Sequence, residues 1–536
     1  MSAGNTNTRV VSSMGPVSRR VMNLSHFLLQ QARRQGHETA LVQGEKSWSW
    51  GELNARVDAM ALALKKLGVK KGDKVLVQSK NCNQLFESMF VCFRLGAVWV
   101  PANFRQTPDE IVKMGQTSQA SVFICNQDFA EHSEMLARQF PHVKQIIIGD
   151  LESGESYERL VDANLGGECK AVDVEYDDPC WFFFTSGTTG APKAAVLTHG
   201  QMAFVITNHL CDLMPAMTAQ NDASLVVAPL SHGAGIHQLA QVARGVKSIL
   251  LAGEKFDPVE AWKLVEKWRV SNMFTVPSIV NLLVENKAVD RFDHSSLKYV
   301  IYAGAPMYRK HQKLAIEKLG KVLVQYFGLG EVTGNITVMP SFDHDVMDER
   351  QKVGSCGFER TGMQVSIQNE RGEELEIGQT GEICVCGPAV FCGYYNNPKA
   401  NEKAFRNGWF LTGDLGHLDE NGYLFITGRA SDMYISGGSN IYPREIEEKL
   451  LIHPALKEVA VLGVPDERWG EVGVAICVLR DGEKLSEEEL FEWMDGKIAR
   501  YKLPKQIFFW DELPKSAYGK VTRKNILAML KEKNCT

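Results

Sequence analysis

A loop rich in hydroxyl groups and glycine, ending in one lysine, is the part of this sequence best suited to phosphate chemistry. Residues 185–193 read Thr-Ser-Gly-Thr-Thr-Gly-Ala-Pro-Lys and follow the apolar run 181–184, which predicts a buried strand. Glycines let backbone N–H groups approach phosphate oxygens, hydroxyls donate further hydrogen bonds, and Lys193 supplies a countercharge. Proline precedes the lysine, so this is not a Walker loop. A solvated loop is the alternative interpretation.

The composition of the whole chain is typical of a soluble globular protein and excludes several classes. With 536 residues, 44% of them hydrophobic, we expect about two to four domains. The net charge of -5 argues against nucleic acid as the main partner. The sequence contains no run of about 18 apolar residues, so no membrane span is expected. The 12 cysteines lack paired spacing, which predicts reduced, mostly packed thiols in the cytoplasm rather than a metal cluster.

The first 20 residues are expected to be a flexible N-terminus. Several arginines and no acidic residue occur in residues 1–37, as in an organelle transit peptide, so a targeting segment stays open as an alternative. Leu24, Phe27 and Leu28 have helical spacing, however, and predict that the folded body begins close to residue 21.

Alternating strands and helices must position the loop. Apolar runs and amphipathic stretches predict strands at 74–78, 121–125, 224–229, 272–276, 298–303 and 322–327, and helices at 50–66 and 258–268. Such alternation predicts an α/β body of two doubly wound, mostly parallel sheets. Shorter strands after residue 354, at 365–368, 381–386 and 422–427, predict a small β-barrel-like lobe. Beyond residue 431, strands at 459–464 and 474–478 and helices at 486–500 and from 522 predict a small α+β domain.

Further motifs follow the loop in a fixed order. They are Pro-Leu-Ser-His-Gly-Ala-Gly at 229–235, Gly-Ala-Pro at 304–306, Gln-Tyr-Phe-Gly-Leu-Gly-Glu-Val-Thr-Gly at 325–334, Leu-Thr-Gly-Asp at 411–414, Gly-Arg-Ala-Ser-Asp at 428–432, and Pro-Lys-Ser-Ala-Tyr-Gly-Lys-Val-Thr-Arg at 514–523. Together these segments closely resemble the AMP-forming acyl-CoA synthetases of the adenylate-forming superfamily, whose other members include luciferases and peptide-synthetase adenylation domains. The resemblance covers residues 22–530.

The resemblance implies an enzyme that uses ATP, Mg²⁺ and coenzyme A. It implies an N-terminal ATP- and acyl-binding domain at 21–430 and a mobile C-terminal domain at 431–536, with the hinge near Ser431. Glu331 would hold the metal together with Thr185, and Asp414 with Arg429 would bind the ribose. The remaining residues implied for the nucleotide are Ser186, Gly187, Thr188, Thr189, Gly190, Lys193, Gly304, Ala305, Pro306, Tyr326, Phe327 and Gly328.

The C-terminal domain carries two implied sites. Lys520 would bridge the acid's carboxylate and the α-phosphate as the new bond forms. A solvated surface lysine is the ordinary alternative for such a position. The loop of Ser436, Gly437 and Gly438 would line the passage for the pantetheine arm of coenzyme A, because adjacent glycines let a backbone form a narrow tunnel.

The chain departs from the family pattern at three places. The adenine-stacking aromatic, usually tyrosine, falls on Phe327, with Tyr326 just before it. Gly330 stands where a threonine often contacts the α-phosphate, so Gly330 is given no side-chain role. Ser431 replaces the usual charged hinge residue.

The family's acyl pocket indicates which acid is activated. By resemblance, the pocket residues are His232, Gly233, Ile236, Tyr302, Gly304, Gly328, Val332, Thr333, Gly334 and Asn335. None of these segments contains Arg or Lys, which disfavours a dicarboxylate such as malonate, because an unpaired buried carboxylate is costly. An amino acid would need an aspartate where His232 stands. We therefore expect an uncharged-tailed, medium-length aliphatic or aryl monocarboxylate. His232 is expected to gate the site or contact the carboxylate, with a packed core histidine as the alternative.

The predicted activity is acyl-adenylate formation with release of pyrophosphate, followed by transfer to coenzyme A. The expected partners are the acid, ATP and coenzyme A, with no nucleic acid and no stable membrane insertion, and the protein can form a homodimer. Three alternatives remain open: loading of a carrier protein, luciferase-like oxidation of the adenylate, and binding of adenylates without catalysis.

Overall fold

The apolar runs of the sequence form two large sheets in the computed structural model. The structure describes residues 20–149, 155–186, 192–251, 253, 256–305, 307–429, 432–436, 439–515, 521 and 523–532, without the side chains of residues 186, 440 and 524. Within these ranges, a large α/β body contains both sheets, and a smaller C-terminal unit has a sheet of its own. The mixed α/β class expected from the sequence is confirmed.

The first sheet carries the hydroxyl-rich loop at its edge. Its described strands, in spatial order, are Pro192–Thr198, Pro179–Ser186, Val98–Ala102, Lys74–Gln78, Val122–Asn126, Lys144–Ile148 and Glu155–Ser156. All neighbours pair in parallel except the first two, which form an antiparallel hairpin. The hairpin is fixed to the sheet by Trp181, which is fully buried and meets Trp99 edge to face at a ring distance of 4.5 Å.

The second sheet runs without interruption into the lobe that the sequence predicted. Its described strands, in spatial order, are Gln364–Gln368, Gly381–Cys386, Trp409–Leu418, Tyr423–Arg429, Ser355–Glu359, Thr337–Met339, Leu323–Phe327, Tyr299–Tyr302, Asn272–Thr275, Ala223–Val226, Lys247–Leu250, Thr39–Gln43 and Lys46–Ser49, with Phe405–Arg406 beside the third. Neighbouring strands pair in parallel from Leu323–Phe327 to Thr39–Gln43. The strand pairs on either side of this block are antiparallel. The lobe is therefore a continuation of this sheet.

Helices cover the sheets, and their first turns explain where they begin. The described helices are His26–Gln35, Trp50–Lys66, Asn83–Leu95, Pro108–Ser118, Ala130–Gln139, Tyr157–Asp162, His199–Asn208, Gly233–Arg244, Pro258–Trp268, Pro277–Glu285, Arg309–Leu319, Pro398–Ala404, Pro443–Leu450, Glu487–Met494 and Arg523–Glu532. Ser49 with Glu52, and Thr107 with Glu110, form capping boxes in which each side chain bonds the other's backbone N–H.

The C-terminal unit forms its own small α+β layer. Its described strands are Ser439–Ile441, Tyr434–Ser436, Gly470–Leu479, Leu456–Asp466 and Gln506–Phe509. The helix expected at 486–500 ends at Met494, because Asp495 is extended (φ -60°, ψ 131°) and Gly496 has φ +73°. The helices Trp50–Lys66 and Pro258–Trp268 have the predicted bounds. The six strands predicted before residue 330 agree to within about one residue at each end, except that the strand predicted at 224–229 ends at Val226.

Among the described helices, none is both long and apolar enough to cross a bilayer. A two-residue strand pair, Arg20–Val21 with Val174–Glu175, marks the start of the described chain. Eleven cysteines lie in the described ranges, and all of them are free thiols. The flexible N-terminus expected at residues 1–20 lies, except for Arg20, outside the described residues.

The lowered pKa values of three buried histidines lead us to expect that the protein loses stability at acidic pH. Burial lowers the pKa of His199, His237 and His344 to about 4. Unfolding returns each imidazole to its ordinary pKa of about 6.5, so the unfolded chain binds more protons between these values. We expect full stability above pH of about 6.5 and a loss approaching about 3 kcal/mol per histidine as the pH falls to about 4.

Thermal melting at pH values between about 7.5 and 4.5 measures this effect. In a His344→Gln variant the fall in melting temperature should be shallower, because one neutral buried imidazole is gone. His142→Gln is the matched control, since His142 is exposed. An equally steep fall in the His344→Gln variant and the wild type would contradict this origin of the pH dependence.

Candidate active site

The hairpin of the first sheet brings Thr185 opposite Lys193. The two residues are paired across the antiparallel strands Pro179–Ser186 and Pro192–Thr198. Residues 187–191 join the strands and lie outside the described residues, as does the side chain of Ser186. The expected phosphate contacts of Ser186, Gly187, Thr188, Thr189 and Gly190 therefore remain predictions, while Thr185 and Lys193 have defined positions.

Glu331 is held against this hairpin. It belongs to the single turn Gly330–Val332 that follows strand Leu323–Phe327, at the carboxyl end of the parallel part of the second sheet. Its side chain is buried, and Oε1 accepts hydrogen bonds from Thr185 Oγ1 at 3.0 Å and from the Tyr394 hydroxyl at 2.9 Å. Oε2 accepts no hydrogen bond from any described residue.

The donor set around Glu331 fits Mg²⁺. Magnesium prefers hard oxygen ligands and is usually bound by one or two carboxylates together with waters and substrate phosphates. Glu331 offers one oxygen fixed by two hydrogen bonds and a second oxygen for a cation. No group of three or more His, Cys, Asp or Glu side chains suited to a metal occurs in the described part of the chain. A single carboxylate beside the hairpin of Thr185 and Lys193 suits a metal that is carried with ATP.

Tyr394 is a residue that the sequence analysis missed. Its hydroxyl donates to Glu331, and its ring lies under the Lys193 ammonium, with Nζ 4.6 Å from the ring centre. Burial and the charge of Glu331 raise the pKa of Tyr394, so the phenol stays protonated and acts as a donor. Tyr394 lies 63 residues from Glu331, in the aromatic segment Gly-Tyr-Tyr at 393–395, and no periodic pattern links the two positions.

Asp414 and Arg429, which are expected to bind the ribose, form an ion pair with each other. They are paired across strands Trp409–Leu418 and Tyr423–Arg429, and Arg429 Nε donates to Asp414 Oδ1 at 3.0 Å. The Asp414 side chain is 7% exposed, whereas that of Arg429 is 50% exposed. The Asp414 backbone N–H donates to Thr412 Oγ1 at 3.1 Å, which fixes the strand where the carboxylate leaves it. A buried carboxylate with one outward cation suits two adjacent hydroxyl groups.

The residues expected beside adenine lie at strand ends. Gly304, with φ +83°, and Ala305 are exposed just after strand Tyr299–Tyr302, and Pro306 lies outside the described residues. Phe327 is half-buried at the end of strand Leu323–Phe327. Gly328 is packed against Gly334, since a Cβ on Gly328 would lie 2.4 Å from the Gly334 Cα. The close approach of these two backbones requires glycine at position 328.

The side chains of Tyr326 and Phe327 point in different directions. Side chains alternate along a strand, so Tyr326 points to the face opposite Phe327. Its ring stacks on Phe274 at 5.9 Å, and a Cβ on Gly334 would come within 2.5 Å of it. Tyr326 therefore lies beside Phe274 and Gly334, and the nucleotide contacts expected of Tyr326 and Phe327 remain predictions.

The Tyr302 side chain lies in a different hydrophobic cluster from Phe274 and Tyr326. Its hydroxyl donates to Gln325 Oε1 at 2.9 Å and accepts from Gln312 Nε2 at 3.0 Å. It is fully buried in a hydrophobic cluster on the face of the second sheet that does not contain Phe274 and Tyr326. The same two-residue alternation places the Tyr302 side chain apart from Phe274 and Tyr326, and its role in the acyl pocket remains a prediction.

His232, which is expected to gate the site or contact the carboxylate, lies beside Phe183. It precedes helix Gly233–Arg244, and its ring lies 4.5 Å from that of Phe183. Gly233 leaves room for Phe274, whose Cζ would lie 2.8 Å from an added Cβ. Four other residues expected in the pocket are buried. Ile236 lies on this helix, and Val332, Thr333 and Asn335 lie in or just after the turn that carries Glu331. Both amide atoms of Asn335 lack a hydrogen-bond partner among the described residues.

Phe183 accounts for the glycine at position 330. A Cβ on Gly330 would lie 2.5 Å from Phe183 Cδ1 and 3.1 Å from Thr185 Cγ2. A threonine at this position would therefore collide with the ring that contacts His232. The departure from the family pattern at Gly330 is matched by the size of Phe183.

Arg360 is a second residue that the sequence analysis missed. It is 1% exposed, and its Nη1 donates to the Gly334 carbonyl oxygen at 3.3 Å. Its Nε lies 3.5 Å from an Asp212 oxygen, and the guanidinium carbon is 5.9 Å from the centre of the Tyr326 ring. Burial lowers the pKa of Arg360 to about 10, so the side chain remains charged at neutral pH. Nothing in its local sequence marks it as a neighbour of Tyr326.

The C-terminal unit contributes only one described residue from the expected set. Ser436 ends strand Tyr434–Ser436 and is paired with Ser439. Gly437, Gly438, Ser431 and Lys520 lie outside the described residues. Their roles in binding coenzyme A, in the hinge and in adenylation remain predictions.

Comparison with known proteins connects this geometry to a family. Residues 28–395 match the model of AMP-binding enzymes, and residues 445–520 match that of the AMP-binding enzyme C-terminal domain. A feruloyl-CoA synthase of Amycolatopsis sp is 34% identical over 506 residues, which cover 94% of this chain and 98% of that protein. A long-chain-fatty-acid–CoA ligase of Mycobacterium tuberculosis is 33% identical over 505 residues, covering 94% and 97%.

A solved structure shares the arrangement of both units. The o-succinylbenzoate CoA synthetase from Bacillus subtilis, in complex with its acyl-adenylate intermediate, superposes with a TM-score of 0.83 at 28% identity, covering 95% of this chain and 98% of that chain. The chain therefore belongs to the AMP-binding enzymes and is an AMP-forming acyl-CoA synthetase, an acid–thiol ligase that uses ATP, Mg²⁺ and coenzyme A.

Proposed function

We propose that this synthetase activates a monocarboxylic acid with an uncharged tail, either a medium-length aliphatic acid or an aryl acid. The observation that carries the proposal is the aromatic and glycine-lined wall formed by Phe274, Tyr326, Gly233 and Gly334. Flat aromatic faces and small residues favour an apolar or aromatic tail over a charged one.

The chemistry explains why charged groups gather at the other end of the site. A carboxylate is a poor electrophile and must be activated before a thiol can attack it. In the activating step one of its oxygens attacks the α-phosphorus of ATP. The bond between that phosphorus and the bridging oxygen breaks, and pyrophosphate leaves with the electron pair. The sulfur of coenzyme A then attacks the acyl carbon, AMP leaves, and the thiol proton is lost to solvent. The first step brings several negative charges together, and catalysis consists mainly of positioning and charge stabilisation.

Each charged residue is proposed to have one role in that step. Lys193 and the hairpin backbone hold the β- and γ-phosphates. Glu331 with Thr185 holds Mg²⁺, which supplies positive charge against the phosphate oxygens. Asp414 and Arg429 bind the ribose, and Phe327 stacks on adenine beside Gly304 and its neighbours. The distances of 3.0 Å between Thr185 and Glu331 and between Arg429 and Asp414 support these assignments.

Lys520 and the C-terminal unit are proposed to act in turn. Lys520 reaches the carboxylate and the α-phosphate during adenylation, and the domain at 431–536 then rotates about Ser431 to bring the loop of Ser436 to the thioester step. The separate sheet of the C-terminal unit supports a boundary near residue 430, because few hydrogen bonds need to break when a unit with its own sheet turns.

Arg360 does not provide a site for a second carboxylate in this proposal. Its charge is balanced by Asp212, which also accepts hydrogen bonds from the Thr361 backbone and hydroxyl at 2.9 and 2.8 Å. A dicarboxylate tail beside this pair would add an unbalanced buried charge. The neutral pair suits an uncharged tail, including one that carries a hydroxyl or methoxy oxygen. The names of the relatives, a feruloyl-CoA synthase and a long-chain-fatty-acid–CoA ligase, support aryl or aliphatic acids.

A panel of acids tests the proposal. Purified protein with Mg²⁺, ATP and coenzyme A is given hexanoate, benzoate, ferulate, acetate or malonate, and AMP and acyl-CoA are quantified chromatographically. We expect the best uncharged acid to exceed malonate in kcat/KM by about 100-fold, since burying an unpaired carboxylate costs a few kcal/mol. Malonate turning over faster than both hexanoate and benzoate would contradict the proposal.

The same assay separates the alternative activities. Acyl-AMP that accumulates without acyl-CoA would favour a carrier-loading enzyme, and light or CO₂ release would favour luciferase-like oxidation. Binding of an acyl-AMP analogue without exchange of pyrophosphate into ATP would favour a non-catalytic binder. The protein is further proposed to work in the cytoplasm, alone or as a homodimer, and the free thiols of the described cysteines support that location.

A further inference from the structure

Four residues form a closed ring around the phosphate hairpin. Thr185 and Lys193 are opposite each other in the hairpin, and Thr185 donates to Glu331 at 3.0 Å. Glu331 accepts from Tyr394 at 2.9 Å, and the Tyr394 ring lies 4.6 Å from Lys193 Nζ. Tyr394 is thus in contact with both the cation that closes the phosphate loop and the carboxylate suited to the metal.

The backbone around Tyr394 is built to hold this position. Tyr394 pairs with Ala195, the second residue after Lys193, as an isolated antiparallel bridge. Its N–H donates to Asn401 Oδ1 at 2.6 Å, and Asn401 Nδ2 donates to its carbonyl oxygen at 3.1 Å. The Phe391 N–H donates to the Glu331 carbonyl oxygen at 2.8 Å. The segment 391–395 therefore binds both the hairpin strand and the turn that carries Glu331.

We propose that Tyr394 is a positioning residue for adenylation, which orients Glu331 toward the metal and holds the Lys193 ammonium beside the phosphates. This inference rests on the roles proposed above for Glu331 and Lys193. With Oε1 occupied by Thr185 and Tyr394, the carboxylate cannot rotate freely, and Oε2 is the oxygen presented to the cation. Partners that orient a metal ligand typically affect metal affinity or activity by about 10- to 100-fold.

The test compares the two chemical steps in a Tyr394→Phe variant. This change removes one oxygen and keeps the ring under Lys193. We expect the Mg²⁺ concentration for half-maximal ATP–pyrophosphate exchange to rise by about 10-fold or more. Formation of acyl-CoA from supplied acyl-AMP should stay within about twofold of the wild type, because that step needs no triphosphate. Equal losses in both steps would show a general structural defect and overturn the proposal.

Tyr395→Phe is the matched control. The Tyr395 hydroxyl donates to Gln119 Oε1 at 2.9 Å, and Lys74 Nζ lies 5.2 Å from the centre of its ring. The Tyr395→Phe variant therefore loses a comparable hydrogen bond beside a comparable lysine, and Tyr395 does not contact Glu331. The Mg²⁺ requirement of Tyr395→Phe should equal that of the wild type. An equal increase in both variants would also overturn the role of Tyr394.

Two further measurements do not depend on turnover. Electron paramagnetic resonance of Mn²⁺ with a non-hydrolysable ATP analogue should show about 10-fold weaker metal binding by Tyr394→Phe. If that variant does not fold, Asn401→Ala, which releases the backbone of Tyr394 and keeps the phenol, should raise the Mg²⁺ requirement by about threefold or more. An unchanged requirement in a folded Asn401→Ala protein would then count against the proposal.

A Glu331→Gln variant separates this inference from the proposed function beneath it. If Glu331→Gln retains the wild-type Mg²⁺ dependence, the metal role of Glu331 is wrong, and the inference about Tyr394 fails with it. If Glu331→Gln loses metal binding while Tyr394→Phe does not, only the inference about Tyr394 is wrong.

Discussion

Lys520→Ala is expected to abolish adenylation while the thioester step survives. The carboxylate and the α-phosphate are both negative, and the site needs a cation between them as the oxygen–phosphorus bond forms. Removing one group that stabilises developing charge costs about 100- to 1,000-fold in rate. Acyl-CoA formation from supplied acyl-AMP should stay within about twofold, because the acid is then already activated. Pyrophosphate exchange and thiol consumption, measured separately, check the two steps.

The described residues on either side of Lys520 are held by contacts within the C-terminal unit. Lys515 and Val521 pair as an antiparallel bridge, and Lys515 Nζ lies 2.8 Å from a Glu458 oxygen. Arg523 Nη2 lies 3.0 Å from Glu447. Lys515→Ala is the matched control, because its ion pair is partly exposed and such pairs contribute less than about 1 kcal/mol. Equal losses in the two variants, or equal losses in both steps of Lys520→Ala, would contradict the role of Lys520.

Asp414→Ala is expected to give the largest loss of nucleotide affinity. The carboxylate is proposed to accept both ribose hydroxyls, and hydrogen bonds to a charged group contribute about 1.5–3 kcal/mol each. The change also leaves the Arg429 guanidinium without the partner that it meets at 3.0 Å. We expect the KM for ATP to rise by about 100-fold, with a matching loss of ATP affinity in calorimetry.

Asp419→Ala provides the comparison for this second prediction. Asp419 lies between the same two strands, and its carboxylate meets Lys352 at 2.8 Å and the N–H groups of Asn421 and Tyr423 at 2.9 Å. The variant loses a turn carboxylate with similar contacts but should bind ATP like the wild type. An unchanged KM in Asp414→Ala, or an equal increase in Asp419→Ala, would exclude the ribose assignment.

The sequence predicted the positions of elements better than the directions of their side chains. Apolar runs identified the buried strands, and the place of Glu331 after the strand Leu323–Phe327 correctly indicated the carboxyl edge of a parallel sheet. The alternation of a strand does not reveal which face meets the ligand. The sequence therefore does not show that Tyr302 and Tyr326 belong to different hydrophobic clusters, as the structure places them.

Tyr394 and Arg360 show a second limit of sequence reasoning. Their contacts with Glu331 and Gly334 join positions 63 and 26 residues apart. Such pairs arise only after the antiparallel lobe folds back on the parallel strands. Neither residue belongs to a local pattern whose chemistry demands that neighbour. The turn at Asp495 was missed for a related reason, because a helical pattern continues in the sequence where the backbone does not.

The uninterrupted second sheet connects the strands of Phe274 and Tyr326 with the strand of Asp414. Phe274 and Tyr326 on one set of strands and Asp414 on another are joined through adjacent ladders of backbone hydrogen bonds. If Asp414 binds the ribose and Phe274 and Tyr326 contact the acid, as proposed above, one continuous sheet sets the separation between the sugar and the acyl-pocket wall. The carboxylates of longer and shorter acids would then occupy the same position. Differences in chain length would change only the position of the far end of the tail.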